Sequence, residues 1–185
     1  MFYLIRHGSA DYTEKDTKIY QGFGNHLAPL SVKGMQEIEM TAADPRLAQA
    51  RLILSSPYTR ALQSAAILSR CFQIPLQVET DLHEWVADQT YVYLPDEQAA
   101  RHYDEFQVCG GVYPPGEEKA WGSLPAMRRR MIRVLRRYCG LGDILVVCHG
   151  LVIQSLCGFH PENGEIAAFD LDSCIRDQNT EQSKG

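Results

Sequence analysis

Two short apolar runs of this chain each end in a histidine followed by a glycine, and this repeated arrangement constrains the fold more than any other feature. The first run, Phe2 to Ile5, leads into Arg6-His7-Gly8, and the second, Ile144 to Cys148, leads into His149-Gly150. Runs of this length, rich in Val, Ile and Leu, are typical of buried strands. The sequence therefore predicts two strands that each deliver an imidazole to the end of a sheet.

Segments with helical spacing lie between and after the predicted strands. We predict helices at Val32 to Ala43, Tyr58 to Cys71 and Leu151 to Cys157, and further strands at Arg51 to Leu54, Leu76 to Val78 and Ile166 to Leu171. Pro57 is expected in the first turn of the second helix, behind a serine that can cap it. The alternation of strand and helix predicts an α/β fold.

Two later segments have a different character. Residues 84–123 are rich in Tyr, Pro, Gly and acidic residues, and we predict one helix there, near Glu97 to Phe106, inside an insertion beside the candidate site. The aromatic residues of this insertion fit a small core better than a lid over a ligand. An apolar stripe from Leu124 to Tyr138 predicts a long helix ending near Gly140, whose arginine-rich faces are expected to be solvated.

Length and composition limit the class of protein. At 185 residues with 45% hydrophobic content, the chain is predicted to form a single domain over residues 1–185, with a disordered polar tail at about 173–185. A net charge of -5 argues against nucleic-acid and membrane partners, so any bound anion must be met by local cations. The N-terminal apolar run is too short for a signal or spanning segment, which predicts a cytoplasmic protein. Six cysteines without a C-x-x-C pair predict reduced, mostly buried thiols.

Three strand ends carry the residues that suggest chemistry. They are Leu4 to Gly8, Ser55 to Ala61 with Arg60 in the following helix, and Val146 to Gly150. Ligands of open α/β sheets lie beyond the carboxyl ends of the strands, where free N–H groups of helix N-termini favour anions. Each signal alone fits a structural histidine or a surface arginine. Their joint occurrence predicts a compact cationic pocket with two imidazoles.

Such a pocket suits phosphoryl transfer. Neutral imidazole is a nucleophile at neutral pH, and nearby arginines favour the neutral form. Arg6 and Arg60 would hold phosphoryl oxygens bidentately, and His149 can donate to the same oxygens. An alkoxide leaving group needs an acid, and Glu84 is a candidate because Trp85 beside it can desolvate it and raise its pKa. A capping or surface role remains open for this carboxylate. No metal or cofactor is required.

Together these residues resemble the histidine phosphatase superfamily, in its phosphoglycerate mutase-like branch, over nearly the whole chain. The matching segments are Arg6-His7-Gly8, Gln21-Gly22 with Ala28 to Ser31 and Gly34, Ser55 to Arg60 with Gln63 and Ala65, Leu82 to Glu84, and Cys148 to Ile153. The resemblance implies a three-layer α/β/α sandwich around a mostly parallel sheet.

The resemblance also implies roles for single residues. His7 would be the phosphorylated nucleophile, and Glu84 the general acid and then the base for water. The candidate catalytic residues are therefore His7, Glu84, His149, Arg6 and Arg60. The candidate substrate-binding residues are Arg6, Gly8, Thr13, Gln21, Gly22, Arg60, Glu84, His149 and Gly150.

The chain departs from the family pattern at two places. Many members carry Glu, then Thr or Ser, and later Asn where this chain has Ser9, Ala10 and Thr13. Mutases of the family are longer and have a basic segment after the acid, whereas no Arg or Lys lies between Trp85 and Arg101 here. Hydrolysis of a small phosphate ester, with no cofactor, is therefore favoured over mutase chemistry.

Three other interpretations remain open at this point. They are a cofactor-dependent phosphoglycerate mutase, a non-catalytic phosphate-binding regulatory protein, and a metal site using His7 and His149, which lacks the usual ligand spacing. His26 and His83 are expected at the pocket rim, and His102 and His160 on the surface. The sequence names neither the physiological substrate nor the oligomeric state.

Overall fold

The computed structural model, which describes residues 1–15 and 24–171, has a five-stranded sheet at its centre. The strands are β1 (Phe2–Arg6), β2 (Ala50–Ser55), β3 (Leu76–Val78), β4 (Asp143–Cys148) and β5 (Ile166–Phe169), in the order β3-β2-β4-β1-β5. The β1/β4, β2/β4 and β2/β3 pairs are parallel, and β5 runs antiparallel to β1 at the edge. The predicted α/β fold with a mostly parallel sheet is confirmed.

Helices cover both faces of the sheet. They are α1 (Gly24–Leu27), α2 (Val32–Thr41), α3 (Thr59–Phe72), α4 (Asp96–Val108), α5 (Leu124–Arg136) and α6 (Gly150–Cys157). One hydrophobic core holds the buried residues of α2 and α3, and the other holds those of α5 and α6. This arrangement is the expected three-layer sandwich.

The central strand β4 explains why the sheet is buried on both sides. Ile144, Val146 and Cys148 pack into the core under α5 and α6, whereas Leu145 and Val147 pack into the core under α2 and α3. All five side chains are fully buried. A continuous apolar run is what a strand covered on both faces requires. Because helices cover both faces of this strand, the residue after Cys148 emerges at an enclosed edge of the sheet.

Several local predictions differ from the structure. Helix α3 begins at Thr59, after an N-cap at Tyr58 that has no side-chain cap, so the prediction of Pro57 in its first turn is wrong. Ser56 instead accepts a hydrogen bond from Tyr58 N and faces the candidate site. The expectation of mostly buried cysteines is also wrong. The five described cysteines are free, but only Cys148 is buried.

The predicted insertion contains one helix, α4, and an aromatic core. Trp85, Phe106 and Trp121 form edge-on or tilted ring contacts with centroids 5.4 to 5.7 Å apart, and Tyr103 and Tyr113 pack at their margins. The small-core interpretation is therefore confirmed for Tyr103, Phe106 and Tyr113, but it is wrong for Tyr91 and Tyr93, which are exposed. The tail predicted to be disordered lies outside the described residues. Within the described ranges, no helix is long and apolar enough to cross a bilayer.

Candidate active site

The carboxyl ends of β1, β2 and β4 meet at one edge of the sheet. The register pairs Arg6 with Cys148 and Ser55 with Val147, so the residues that follow each strand emerge side by side. The rings of His7 and His149 lie with their centroids 5.0 Å apart. The exposed fractions of His7 and His149 are 6% and 0%, so both imidazoles are withdrawn from water. The structure thus brings together the two histidines that the strand ends predicted.

His7 is held in one tautomer. Its Nδ1 lies 2.7 Å from the carbonyl oxygen of Gly8, which can only accept, so the ring proton is on Nδ1. Its Nε2 accepts a hydrogen bond of 3.0 Å from Nε of Arg60. Burial, followed by the charge of Arg60, lowers the pKa of His7 to about 3. The imidazole is therefore neutral, with its lone pair on Nε2 pointing at a cation.

Arg60 connects the two imidazoles. It lies in the first turn of α3, where it is 6% exposed. Besides Nε on His7, one terminal nitrogen donates to the carbonyl of Asn25 at 2.6 Å, and the other faces Nδ1 of His149 at 3.4 Å. The guanidinium thus directs its N–H groups at three acceptors, and these contacts fix its position without a carboxylate partner.

His149 has partners on both ring nitrogens. Because a guanidinium only donates, Nδ1 of His149 is the acceptor facing Arg60, and Nε2 donates to the hydroxyl of Ser56 at 2.7 Å. Burial and the charge of Arg60 hold the pKa of His149 well below its usual range. Both histidines of the pocket are therefore uncharged, and their lone pairs face donors of Arg60 that a bound anion could take over.

Arg6 and the two glycines shape the loop around His7. One terminal nitrogen of Arg6 donates to the carbonyl of Pro161 at 2.6 Å, and its Nε is buried without a hydrogen-bond partner in the described part of the chain. Gly8 lies so close to Gly34 that a Cβ on it would approach the Gly34 carbonyl oxygen to 2.2 Å. Gly150 opens α6, which places the N–H groups of that helix beside His149.

Glu84 lies beside the N-terminus of α6. One carboxylate oxygen accepts from Trp85 N at 2.9 Å, and the other accepts from Leu151 N at 3.3 Å. Burial raises the pKa of Glu84 despite these two hydrogen bonds and the charges of Arg60 and Arg130. The expected direction of the pKa shift is confirmed. A carboxyl group that holds its proton more tightly than usual can serve as an acid nearer neutral pH.

Thr13 is a predicted substrate-binding residue without a contact to this cluster among the described residues. Thr13 lies in an exposed turn, where its N–H and hydroxyl both donate to Asp11 Oδ1 at 2.9 and 2.7 Å. Its role stays a prediction. Gln21 and Gly22 lie outside the described residues.

Tyr58 is a pocket residue that sequence reasoning missed. Its ring packs between His26 and His149, with centroids 4.3 and 5.1 Å away, and the Arg60 guanidinium lies over its face at 5.2 Å. An aromatic residue two positions before the arginine of a helix start is the only signal that could have indicated it. His26 does lie at the pocket through this contact, as expected.

Arg130 is the second missed residue. It was expected on a solvated face of α5, and that expectation is wrong. Its side chain is half-buried, donates to the His83 carbonyl at 2.6 Å and lies against the His83 ring. Burial and Arg130 lower the pKa of His83 to about 4. His83 is itself buried and lies 6.4 Å from Tyr58 between ring centroids, so it forms the inner wall of the site.

The described donor set is that of an anion site. Among residues 1–15 and 24–171, no group of three or more His, Cys, Asp or Glu side chains could hold a metal ion. Two neutral imidazoles and a buried guanidinium lie together instead, and a carboxyl with a raised pKa lies at the N-terminus of the helix that follows His149. This combination offers a nucleophile, cationic donors and an acid.

Comparisons with known proteins agree with this geometry. The sequence model of the histidine phosphatase superfamily (branch 1) matches residues 2–174. No curated protein matches the chain in a sequence search.

Solved structures share the fold at low sequence identity. A mycobacterial glucosyl-3-phosphoglycerate phosphatase complexed with VO3 is 19% identical, with 93% of each chain covered and a TM-score of 0.65. An alpha-ribazole phosphatase from Shigella flexneri is 19% identical, with 91% of this chain and 89% of that chain covered and a TM-score of 0.61. A phosphoserine phosphatase from Entamoeba histolytica, in complex with 3-phosphoglyceric acid, is 20% identical, with 89% and 87% covered and a TM-score of 0.59.

Proposed function

The chain belongs to the histidine phosphatase superfamily (branch 1), and we propose that it hydrolyses a phosphate monoester through a phosphohistidine formed on Nε2 of His7. The observation that carries this proposal is the tautomer of His7. The proton on Nδ1 of His7 is hydrogen-bonded to the Gly8 carbonyl. The lone pair on Nε2 faces Arg60, the cation to which a phosphoryl group would bind. A neutral, oriented imidazole needs no separate base before it attacks phosphorus.

The first step transfers the phosphoryl group to the enzyme. Arg60 turns its Nε–H from the imidazole to a phosphoryl oxygen, and the freed lone pair of His7 forms an N–P bond as the ester P–O bond breaks. The Nδ1–H to Gly8 then stabilises the positive charge that develops on the ring. Arg6 and Arg60 hold the equatorial oxygens, and the negative charge of the bound phosphoryl group favours uptake of a solvent proton on Nδ1 of His149, which can then donate as well.

Glu84 serves both halves of the reaction. In the first half its carboxyl proton goes to the departing ester oxygen, so that an alcohol leaves rather than an alkoxide. In the second half the resulting carboxylate takes a proton from water, and the hydroxide attacks phosphorus. The P–N bond breaks, its electron pair returns to His7, and inorganic phosphate leaves. The raised pKa supports the acid role, because it keeps more of the carboxyl protonated near neutral pH.

The substrate is proposed to be a small phosphorylated metabolite, with neither a metal nor a bisphosphorylated cofactor required. The similar structures are named as phosphatases of glucosyl-3-phosphoglycerate, alpha-ribazole phosphate and phosphoserine. All of these carry one phosphate ester on a compact organic group. A net charge of -5 also favours a small substrate over nucleic acid.

The first test is hydrolysis of p-nitrophenyl phosphate in EDTA, followed by metabolite phosphates with and without 2,3-bisphosphoglycerate. We expect metal-independent phosphate release that the bisphosphate does not stimulate. His7→Ala should abolish release from every substrate and keep the circular dichroism spectrum, whereas His102→Ala, at a histidine outside the pocket, should retain activity. Wild-type turnover in His7→Ala would disprove the phosphohistidine. Strict dependence on 2,3-bisphosphoglycerate would instead indicate a mutase.

A further inference from the structure

A cavity of about 580 Å³ lies between α5 and residues 83–91. Glu84 and His83 form part of its wall and are the residues that it shares with the proposed site, whereas His7, Arg60 and His149 do not line it. Its opposite wall is the arginine-rich side of α5, including Arg129, Arg130 and Arg133. A volume of this size accommodates a small organic molecule.

Arg129 and Arg133 on this wall differ from the arginines of the protein that form ion pairs. Arg46, Arg101 and Arg137 each form an ion pair of 2.5 to 2.7 Å with an aspartate or glutamate. In the part of the chain that the structure describes, no such pair within 4.0 Å involves Arg129 or Arg133. Two exposed cations without an acidic partner among the described residues therefore face one cavity.

Arg130 extends this positive wall inward to the acid. It is half-buried and is held by the carbonyl and ring of His83 rather than by a carboxylate. The Tyr91 hydroxyl forms a hydrogen bond of 2.9 Å with Nε2 of the His83 ring. Because desolvation makes an unpaired charge costly, a half-buried guanidinium without an ion pair favours an anion bound in the cavity.

We propose that this cavity holds the leaving group of the substrate, and that the α5 arginines select a leaving group that itself carries negative charge. The inference rests on the proposed function, in which Glu84 protonates the ester oxygen. The leaving group must then extend from phosphorus past Glu84, and the cavity adjoining Glu84 is lined by Arg129, Arg130 and Arg133. The substrate class is therefore a phosphate ester of a carboxylic acid or of a second phosphate.

A matched pair of substrates tests the charge requirement directly. 3-Phosphoglycerate and glycerol 3-phosphate differ only in a carboxylate replaced by a hydroxymethyl group. We expect kcat/KM for 3-phosphoglycerate to be larger by about tenfold or more, since one charge-assisted hydrogen bond contributes at least that factor. The double variant Arg129→Gln/Arg133→Gln should remove this preference by raising KM for 3-phosphoglycerate, with kcat nearly unchanged. Both side chains are exposed, so the fold should be preserved.

The control is Arg137→Gln, which removes a cation of the same helix end that is paired with Glu79 and does not line the cavity. It should retain the preference for the acidic substrate. If the double variant and the control give equal KM values, or if the wild type hydrolyses both substrates equally, the inference is wrong while the phosphatase stands. If the wild type does not hydrolyse p-nitrophenyl phosphate, both this inference and the proposed phosphatase function are wrong. Hydrolysis of the aryl ester does not depend on the arginine wall.

Discussion

The buried, neutral state of His7 makes a quantitative prediction about stability. In the unfolded chain an imidazole takes up a proton below about pH 6.5, whereas in the folded protein the pKa of His7 is lowered to about 3. Between these values the unfolded state binds more protons than the folded state. Stability should therefore fall as the pH falls through this window, and it should be fully present above about pH 6.5.

The expected size follows from the linkage relation. From pH 8 to pH 5, a shift from 6.5 to about 3 lowers the free energy of unfolding by about 2 kcal/mol. At pH 5 the result is nearly the same for any folded-state pKa below about 4, because the folded protein is then almost entirely unprotonated at His7. The prediction thus depends on burial of the neutral ring and only weakly on how far the pKa of His7 is lowered.

Urea unfolding at pH 8.0, 6.5 and 5.0 measures this effect in wild type and in His7→Gln, which cannot titrate. Other groups, including Glu84 with its pKa shift of opposite sign, contribute equally to both proteins and cancel in the comparison. The wild type should lose about 2 kcal/mol more than the variant between pH 8.0 and 5.0. His102→Gln controls for loss of a histidine outside the pocket. Parallel pH dependences in wild type and His7→Gln would refute the claim that His7 is buried neutral.

Three further substitutions test the site. Glu84→Gln should reduce kcat/KM, which reports the steps up to release of the alcohol, by about 10² to 10⁴ for alkyl phosphates and much less for aryl phosphates. It should also remove the fall in kcat/KM at high pH that deprotonation of Glu84 causes; equal losses of kcat/KM for both ester types would exclude Glu84 as the acid. Ser56→Ala leaves Nε2 of His149 without its hydroxyl and should lower kcat about tenfold, with Ser56→Thr restoring it; unchanged kcat in the alanine variant would remove this positioning role. Gly8→Ala places a Cβ 2.2 Å from the Gly34 carbonyl oxygen and should lower the free energy of unfolding by about 1–3 kcal/mol, so an unchanged melting temperature would contradict the packing.

The position of His7 and His149 at one edge of the sheet was predictable, because it depends on which strands are parallel and buried. A continuous apolar run such as Ile144 to Cys148 fits only a strand covered on both faces, and such strands lie at the centre of a parallel sheet. The residue after a central strand emerges at the carboxyl edge whatever the loop lengths. Assigning both runs to one parallel sheet therefore places His7 and His149 at the same edge, and the observed pairing of β1 with β4 brings them side by side.

The arginines of α5 were not predictable in the same way. Arg129, Arg130 and Arg133 all lie outside the apolar stripe of Leu124 to Tyr138, so the pattern treats them alike as solvated. Which of them turns inward depends on the path of residues 83–91, and no periodicity encodes that path. Arg130 meets His83 because α5 packs beside the short turn before Glu84. Tertiary packing, which the helical spacing does not contain, decided between a solvated side chain and a site residue.

Ser56 illustrates a competition between two local interpretations. A serine before a proline and a helix is a good cap on local grounds, yet its hydroxyl accepts from Nε2 of His149 and from Tyr58 N outside the helix. The buried donor on His149 needs a partner, and leaving it unpaired costs more than leaving the first turn of α3 without a side-chain cap. Helix α3 therefore starts later, and its first turn brings Arg60 to both imidazoles. The hydrogen bond between Ser56 and His149 thus accounts for the later start of the helix. It also sets the position of Arg60, from which the guanidinium reaches His7.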